Sequence, residues 1–440
     1  MNITISPLDD RYKDKTNIIK DYFSEFAFCK YRVLVELIYF KHLCKLNLKT
    51  LQLQNTEFID LILDNFDYNE YLKIKEYEKK INHDVKSIEY YLRDQFKKYN
   101  VSDFNSFIHF GLTSQDINNT SISLSLKEFI VNEYSSKLHK IMDLFISKTK
   151  EWDHITMISR THGQPAVPTS MGKEIHVFLY RLELQFYILK NSKYYGKFGG
   201  ASGNLNAHVC AYPTINWNQF GKNFLNEFGL IKSKFTTQID NYDNLATLFD
   251  CLKRINSILI DFCQDIWLYI FMNYLQLKIN QNEVGSSTMP QKVNPINFEN
   301  AEGNLKLANN LLEFFSRKLP VSRLQRDLTD STVLRNLGTI FGHCFVAFEN
   351  ILIGIQKLDI NISVINKDLE DNYVVIVEGI QTILRKYNQN DAYEKLKEFS
   401  RKHQKIGKDE IDSFINSLNV NNKIKTELLS ISVYNYKGYS

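Results

Sequence analysis

Proline placement is the feature that most constrains the fold of this chain. Its 440 residues contain seven prolines, at positions 7, 165, 168, 213, 290, 295 and 320. Proline lacks a backbone donor and clashes with the preceding turn, so it is costly inside an α-helix. Residues 8–164, 214–289 and 321–440 contain none. These three segments can therefore be helical throughout, and the prolines mark where helices stop.

Apolar residues recur at helical spacing within these segments. One stripe repeats at steps of three and four, and consists of Leu252, Ile255, Leu259, Phe262, Ile266, Tyr269 and Ile270. Such stripes indicate long core helices. We find no alternating strand pattern of any length. The sequence therefore predicts an all-α protein built around a long central helical bundle.

Length and composition limit the class of protein. The chain exceeds the roughly 250–300 residues at which a single core stops growing, which predicts two or three domains. Net charge is +4 and acids nearly balance bases, so a dedicated nucleic-acid binder is not indicated. The longest apolar run, 266–272, is much shorter than the roughly 20 residues of a membrane helix. Six cysteines without paired spacing, and an N-terminus without an apolar signal core, favour a soluble cytoplasmic protein.

The most chemically distinctive segment is 285–295, which reads Gly-Ser-Ser-Thr-Met-Pro-Gln-Lys-Val-Asn-Pro. It combines the hydroxyls of Ser286 and Ser287 with the cation of Lys292 in tightly bent backbone. Successive turn N–H groups can form an anion nest, and a lysine can neutralise a carboxylate. One serine is then a candidate alkoxide base for a reaction through a carbanion. A polar surface loop is the alternative, since such residues also fill turns for conformational reasons.

His162 is the candidate proton donor. It lies in segment 159–168, just before Pro165 and Pro168, where helix-free chain can present its imidazole to a cleft. Histidine is suited to proton transfer near neutral pH. The alternative is that a lone loop histidine only makes structural hydrogen bonds.

Two segments combine polar side chains with predicted helix starts. Thr113 and Ser114 precede a helical pattern. Thr113, Ser114 or Asp116 is an ordinary N-cap there, and a helix N-terminus also binds carboxylates. Arg326 and Arg335 flank residues 329–331, where guanidinium groups and free N–H groups can converge on one phosphate. A capped helix with surface arginines is the alternative for the second segment.

Several of these motifs together resemble a known family. Loop 285–295 is similar to the signature loop of the fumarase/aspartase superfamily, whose members expel fumarate by β-elimination. The strings Thr-His-Gly-Gln-Pro at 161–165 and Asn-His-Asp-Val-Lys at 82–86 resemble the bacterial-type adenylosuccinate lyase branch. The arginine-containing segment 322–336 is similar to the part of that branch that binds the nucleotide. The resemblance extends from Ser6 to about Gly438.

The resemblance implies roles for individual residues. Ser286 is implied as the general base and His162 as the general acid, with Ser287 as the alternative base. The implied substrate-binding residues are Arg11, Tyr12, Asn82, His83, Asp84, Thr113, Ser114, Gln238, Ser287, Lys292, Asn294, Asn300, Arg326, Ser331, Thr332 and Arg335. The implied reactions release fumarate from adenylosuccinate, giving AMP, and from succinyl-aminoimidazole-carboxamide ribotide, giving the carboxamide ribotide of purine biosynthesis.

The resemblance also implies an architecture. It predicts three domains, at 1–111, 112–364 and 365–440, in a homotetramer whose active sites are shared between subunits. Neither the resemblance nor the spacing of histidine and cysteine calls for a metal or a cofactor. The expected partner is a small nucleotide monophosphate that carries a succinyl group, with no role for nucleic acid or membrane.

Two alternatives remain at this stage. Gln291 is the residue that argininosuccinate lyases show at this position, whereas adenylosuccinate lyases commonly have histidine there, so argininosuccinate is the competing substrate. A catalytically silent helical scaffold is the alternative from another class. The chain also ends earlier than its relatives, in Tyr436-Lys437-Gly438-Tyr439-Ser440, which leaves the packing of the last domain open.

Overall fold

A computed structural model of the chain describes residues 4–46, 48–278, 289, 292–389, 391–402 and 406–439. Within these residues twenty α-helices occur. The first ten, α1 to α10, are Lys13–Thr16, Lys20–Phe23, Glu25–Cys44, Glu57–Asp64, Tyr68–Ile81, Asp84–Lys98, Ser114–Phe129, Ser135–Trp152, Met171–Lys190 and Asn206–Ala211. The others, α11 to α20, are Trp217–Glu227, Asp243–Phe271, Ile296–Lys318, Thr329–Leu334, Leu337–Lys357, Ile362–Asp371, Val377–Lys386, Ala392–Lys402, Lys408–Ser417 and Asn422–Leu429.

Short strands accompany the helices. They are β1 Thr156–Thr161, β2 Gln164–Ser170, β3 Tyr195–Gly196, β4 Ile231–Lys232, β5 Leu275–Leu277 and β6 Leu358–Ile360. They form three two-stranded pairs, of which β1–β2 and β5–β6 are antiparallel and β3–β4 is parallel. The all-α prediction is confirmed, since 68% of the structure is helical. The sequence pattern did not predict the longest pair, β1–β2. Two prolines and a register shift interrupt the alternation of apolar and polar residues in its strands.

The chain divides into two compact units. Unit 1 contains Met1–Leu138, Gln185–Ser257 and Gly303–Glu349, and unit 2 contains His139–Leu184, Ile258–Glu302 and Asn350–Ser440. The three-domain borders expected from the sequence stay a prediction.

Unit 1 is organised around helices α3 and α7, which pack together. Helix α3 begins where Ser24 accepts a hydrogen bond from the Ala27 N–H at 3.1 Å, a standard N-cap. Aromatic rings fill the space beside it: the Phe129 centroid lies 5.0 Å from that of Phe23 and 4.6 Å from that of Phe341. Such contacts add to the burial that holds the helices together.

Unit 2 has its own aromatic core. The ring centroid of Phe262 on α12 lies 4.5 Å from that of Phe145 and 5.5 Å from that of Phe178. Phe262 belongs to the apolar stripe predicted from the sequence, and it is buried. Helices α8, α9 and α12 thus meet through their apolar faces in this unit.

One helical stretch meets the length and hydropathy criteria of a membrane span. It is Thr329–Lys357, and 67% of its most apolar window is buried inside the protein. A core helix of a folded protein has this pattern.

Candidate active site

His162 lies at the tip of the β1–β2 hairpin. Thr161 pairs with Gln164, so only His162 and Gly163 form the turn, with φ angles of 53° and 75°. Two positive φ values in a two-residue loop are typical of a type I′ turn, the turn that best matches the twist of paired strands. The imidazole is exposed. The hairpin therefore presents the predicted acid on a short, conformationally defined tip.

The stem of this hairpin is anchored by a carboxylate. Arg160 donates from Nη2 to Asp368 Oδ2 at 2.6 Å, and Tyr274 also hydrogen-bonds to that oxygen. Asn372 donates to Asp368 Oδ1 at 2.9 Å. Arg160 is two residues before His162, so this cluster restrains the strand that carries the histidine.

The signature loop is only partly within the described residues. Ser286, Ser287 and Gln291 lie outside them. Lys292 is exposed, and Asn294 is half-buried just before helix α13. On that helix, Asn300 accepts a hydrogen bond from Asn350 Nδ2 at 2.8 Å, so its amide oxygen has a protein partner.

The Asn-His-Asp segment forms the junction between α5 and α6 in unit 1. Asn82 ends α5 in the left-handed region, with φ 53°. His83 is the N-cap of α6, and its Nδ1 accepts from the Lys86 N–H at 3.1 Å. In the neutral imidazole the proton is then on Nε2. Because His83 is exposed, that N–H is available to a ligand.

Asp84 is bound by two arginines. Its Oδ2 lies 2.7 Å from Nη2 of Arg32 and 3.1 Å from Nη2 of Arg335. Its Oδ1 accepts from the Val85 N–H at 2.9 Å. Burial raises the pKa of this carboxyl, but Arg32, the Val85 N–H and Arg335 outweigh burial and leave the pKa below its ordinary value. Asp84 is therefore an ionised carboxylate whose two oxygens are engaged by the protein.

A cavity of about 290 Å³ adjoins this cluster within unit 1. Its polar wall includes Arg32, Gln115, Asn118, Ser331 and Arg335, and its apolar wall includes phenylalanine and leucine side chains. Gln115 Nε2 donates to Ser331 Oγ at 3.3 Å across that wall. A pocket with few convergent polar groups on an apolar background is typical of small-molecule sites.

Thr113 and Ser114 start helix α7, and a buried ion pair fixes that start. Asp116 accepts from the Thr113 N–H at 2.9 Å, which completes the predicted N-cap arrangement. It also accepts from the Gly199 N–H at 2.9 Å and lies 2.8 Å from Lys197 Nζ. Both charged side chains are buried, so the helix start is tied rigidly to the glycine-containing connection.

The remaining predicted residues also lie in unit 1. Arg326 donates from Nη1 to Gln238 Oε1 at 3.1 Å, so these two predicted ligands are brought together. Thr332 is exposed on α14. At the start of that helix the Thr329 N–H donates to Asp327 Oδ1 at 2.8 Å, so this donor is not free for a phosphate.

Arg11 and Tyr12 precede the short helix α1. Arg11 is exposed, and its guanidinium carbon lies 6.0 Å from the centroid of the Tyr12 ring. The structure thus keeps these two predicted ligands adjacent on the surface of unit 1.

Sequence reasoning missed Arg32, Gln115 and Asn118. All three are buried polar residues on helices α3 and α7. Arg32 had a detectable signal, because an arginine surrounded by the apolar positions of a core helix requires a buried partner. Gln115 and Asn118 had none, since an amide within a helix is ordinary. In the described part of the chain, no cluster of histidine, cysteine, aspartate and glutamate has the arrangement of a metal site.

Comparisons with known proteins relate the chain to lyases. Residues 10–309 match a family model described as lyase, and residues 322–437 match one described as adenylosuccinate lyase C-terminal. The adenylosuccinate lyase of Dictyostelium discoideum is 48% identical, covering 99% of this chain and 97% of the relative. That of Legionella pneumophila strain Corby is 44% identical, covering 99% and 96%.

Solved structures show the same fold at low sequence identity. The 3-carboxy-cis,cis-muconate lactonizing enzyme from Pseudomonas putida aligns with a TM-score of 0.76 at 18% identity, covering 98% of this chain and 96% of that one. A fumarate lyase from Mesorhizobium sp. BNC1 aligns with a TM-score of 0.74 at 14% identity, covering 96% and 95%.

Proposed function

This chain belongs to the adenylosuccinate lyase family, and we propose how its residues divide the work of that reaction. The reaction is the β-elimination of fumarate from adenylosuccinate, which yields AMP, and from the succinyl-carboxamide ribotide of purine biosynthesis. The observation that carries this function is the 41–48% identity to adenylosuccinate lyases over 99% of the chain. The argininosuccinate alternative, which rested on Gln291, has no support among these relatives.

The elimination needs a base, an acid and a site for the negative charge that develops on the carboxylate. Ser286 is assigned as the base that removes the proton from the succinyl carbon, with Ser287 as the alternative. Serine is a weak base, so its alkoxide requires strong local stabilisation. The exposed cation of Lys292 and the amide of Asn294 are assigned to stabilise the aci-carboxylate, since oriented donors act where charge develops.

His162 is assigned as the acid that protonates the departing nitrogen. The support is the hairpin: its tip exposes the imidazole, and its stem is held by the Arg160–Asp368 pair. A proton donor contributes most when its geometry is fixed before the substrate binds. Fumarate then leaves, and the amine product remains on the nucleotide-binding residues.

The residues of unit 1 are assigned to the nucleotide and its dicarboxylate arm. Arg335 and Ser331 line the cavity and are assigned to the monophosphate, because a guanidinium fork matches phosphate geometry. Arg326 and Gln238, which are hydrogen-bonded to each other, and the exposed Arg11 and Tyr12 complete the nucleotide set. The helix start at Thr113 is assigned to a substrate carboxylate, since such starts attract anions.

The test is fumarate release from purified protein, measured separately with adenylosuccinate and with argininosuccinate. Release from adenylosuccinate is expected. Release only from argininosuccinate contradicts the assignment, and release from neither indicates a silent scaffold. Ser286→Ala should abolish turnover while AMP still binds, and Ser287→Ala is the matched control. Should the first variant remain active and the second not, Ser287 is the base.

We also propose that the protein is a cytoplasmic homotetramer. The support for the assembly is a set of exposed apolar side chains on α9 and α12 of unit 2, namely Val177, Tyr180, Leu184, Trp267, Leu268 and Phe271. Neighbouring exposed apolar residues on adjacent long helices are typical of a subunit interface.

Tyr180→Glu should dissociate the assembly, because the interface would have to bury an unpaired carboxylate. The control is Tyr393→Glu, since Tyr393 is also helical and is 52% exposed against 55% for Tyr180. Light scattering after gel filtration measures the mass. A tetramer that survives Tyr180→Glu contradicts the proposed interface.

A further inference from the structure

Arg32 is a buried charge in the middle of helix α3. Its side chain is 1% exposed, and the Phe28 ring centroid lies 3.8 Å from its guanidinium carbon. Its Nε donates to Asn118 Oδ1 at 2.8 Å, and its Nη2 donates to Asp84 Oδ2 at 2.7 Å. A buried guanidinium is costly unless its partners are well placed, so this position commits Arg32 to Asp84.

Asp84 in turn joins Arg32 to an exposed arginine. The same Oδ2 that receives Arg32 also receives Nη2 of Arg335 at 3.1 Å, and the Arg335 side chain is 45% exposed. An exposed arginine has many rotamers, and fixing them upon binding a ligand costs entropy. A carboxylate that is itself held rigidly reduces this cost by fixing the arginine beforehand.

The charges of this cluster are also consistent with Asp84 orienting Arg335 for an anionic ligand. Two guanidinium groups share one carboxylate, so the cluster keeps a formal charge of +1 beside the cavity that Arg32 and Arg335 both line. Asp84 therefore orients Arg335 while cancelling only one of the two positive charges. Glu25 also lines the cavity, so the net positive charge is local to the Arg32–Asp84–Arg335 cluster, where an anion bound by Arg335 would lie.

We propose that Arg32 is a positioning residue for nucleotide binding: through Asp84, it holds the Arg335 guanidinium in the orientation that receives the monophosphate of the substrate. The inference rests on the proposed function, because it takes Arg335 as the phosphate ligand. It also changes the role expected for Asp84, which acts on the substrate through Arg335 rather than by direct contact.

The experiment is a double-mutant cycle on the full-length protein. Binding of AMP and of adenosine, which lacks the phosphate, is measured by calorimetry for Arg32→Lys, Arg335→Met and the double variant. Lysine keeps the charge of Arg32 but lacks the fork that reaches Asn118 and Asp84 together. Arg93→Met, which removes an exposed arginine from α6, is the matched control.

Arg32→Lys should weaken AMP roughly tenfold, within the range of direct side-chain couplings, and leave adenosine unchanged. The double variant should bind AMP no more weakly than Arg335→Met alone. In turnover, KM for adenylosuccinate should rise while kcat changes little, because phosphate binding does not change during the chemical step.

Equal weakening of AMP and adenosine, or additive losses in the double variant, would overturn the proposal and leave Arg32 as part of the core. Unchanged AMP binding by Arg32→Lys would overturn it too. If Arg32→Lys unfolds, Asp84→Asn in a cycle with Arg335→Met tests the link on which the role of Arg32 depends, since it removes the carboxylate that joins the two arginines; AMP and adenosine binding that weaken equally would overturn the proposal. Fumarate release by the wild-type protein tests the proposed function independently of this cycle.

Discussion

Acid should destabilise unit 1 through His208. Its side chain is fully buried among the rings of Phe198 and Trp217, and its Nε2 lies 3.0 Å from the Tyr39 hydroxyl. The Tyr39 hydroxyl donates its single proton to the Phe110 carbonyl at 2.7 Å, so it is the imidazole Nε2–H that donates to Tyr39. Nδ1 is then a bare nitrogen, and it has no hydrogen-bond partner in the described structure.

The size of the effect follows from the pKa. Burial outweighs the attraction of Asp116 and, together with repulsion from Lys197, lowers the pKa of His208 to about 4. The unfolded chain takes up a proton near pH 6.5, and the folded chain does not until the lower value is reached. The free energy of unfolding therefore falls as pH falls between these values. The loss is about 2 kcal/mol by pH 5 and approaches about 3 kcal/mol below the folded pKa.

Protonation of His208 should also affect the candidate site, because the imidazole packs against Gly111. A Cβ on Gly111 would lie 2.8 Å from the imidazole Cε1, so the ring packs directly under the chain that leads to Thr113. Protonation should therefore loosen the start of α7 as well as destabilise the fold. The prediction is acid inactivation that accompanies loss of structure.

The assay compares urea unfolding of wild type and His208→Gln at pH 8 and pH 5. A glutamine amide can still donate to Tyr39 but does not titrate in this range. The wild type should lose about 2 kcal/mol more than the variant between the two pH values. Equal losses in the two proteins would refute the reasoning, since other carboxyl and histidine groups are common to both.

Two further substitutions test the site geometry. Gly163→Ala should lower kcat and leave KM unchanged, because a side chain at φ 75° costs roughly 1–2 kcal/mol and displaces His162. The control is Gly303→Ala, since Gly303 lies on a helix with open space around it. Equal kcat values for the two variants would contradict this prediction. Asp116→Asn should cost about 3–5 kcal/mol of stability by leaving the Lys197 charge buried alone. Adding Lys197→Met to Asp116→Asn should partly restore the melting temperature, because it removes the unpaired charge. A double variant with a lower melting temperature than Asp116→Asn alone would argue against the ion pair.

The helices were predictable because their determinants are local. The stripe from Leu252 to Ile270 and the absence of proline between 214 and 289 are both readable from the chain, and α12 occupies Asp243–Phe271. The hairpin that carries His162 was not predicted as one. Its strands contain Pro165 and Pro168, and pairing survives because a two-stranded ribbon tolerates proline on its outer edges and at a register shift.

The site divides in the same way between local and long-range information. Residues such as His162 and Thr113 belong to short strings, so the sequence was able to nominate them. Arg32 acts on Arg335 across 303 positions of the chain, through a carboxylate that belongs to neither segment. A single sequence does not encode such proximity in any local pattern, because it arises only when α3, α6 and α14 pack.

This difference has a consequence for specificity. The elimination chemistry requires only the acid, the base and a stabilised carboxylate, and these are the parts that short motifs carry. Recognition of a nucleotide requires a cation held at a defined place and orientation, and an exposed arginine alone does not provide that. In this chain the orientation comes from Asp84 and, behind it, from a guanidinium buried in a core helix. On this proposal, substrate choice in this chain depends on core packing as well as on the residues that touch the ligand.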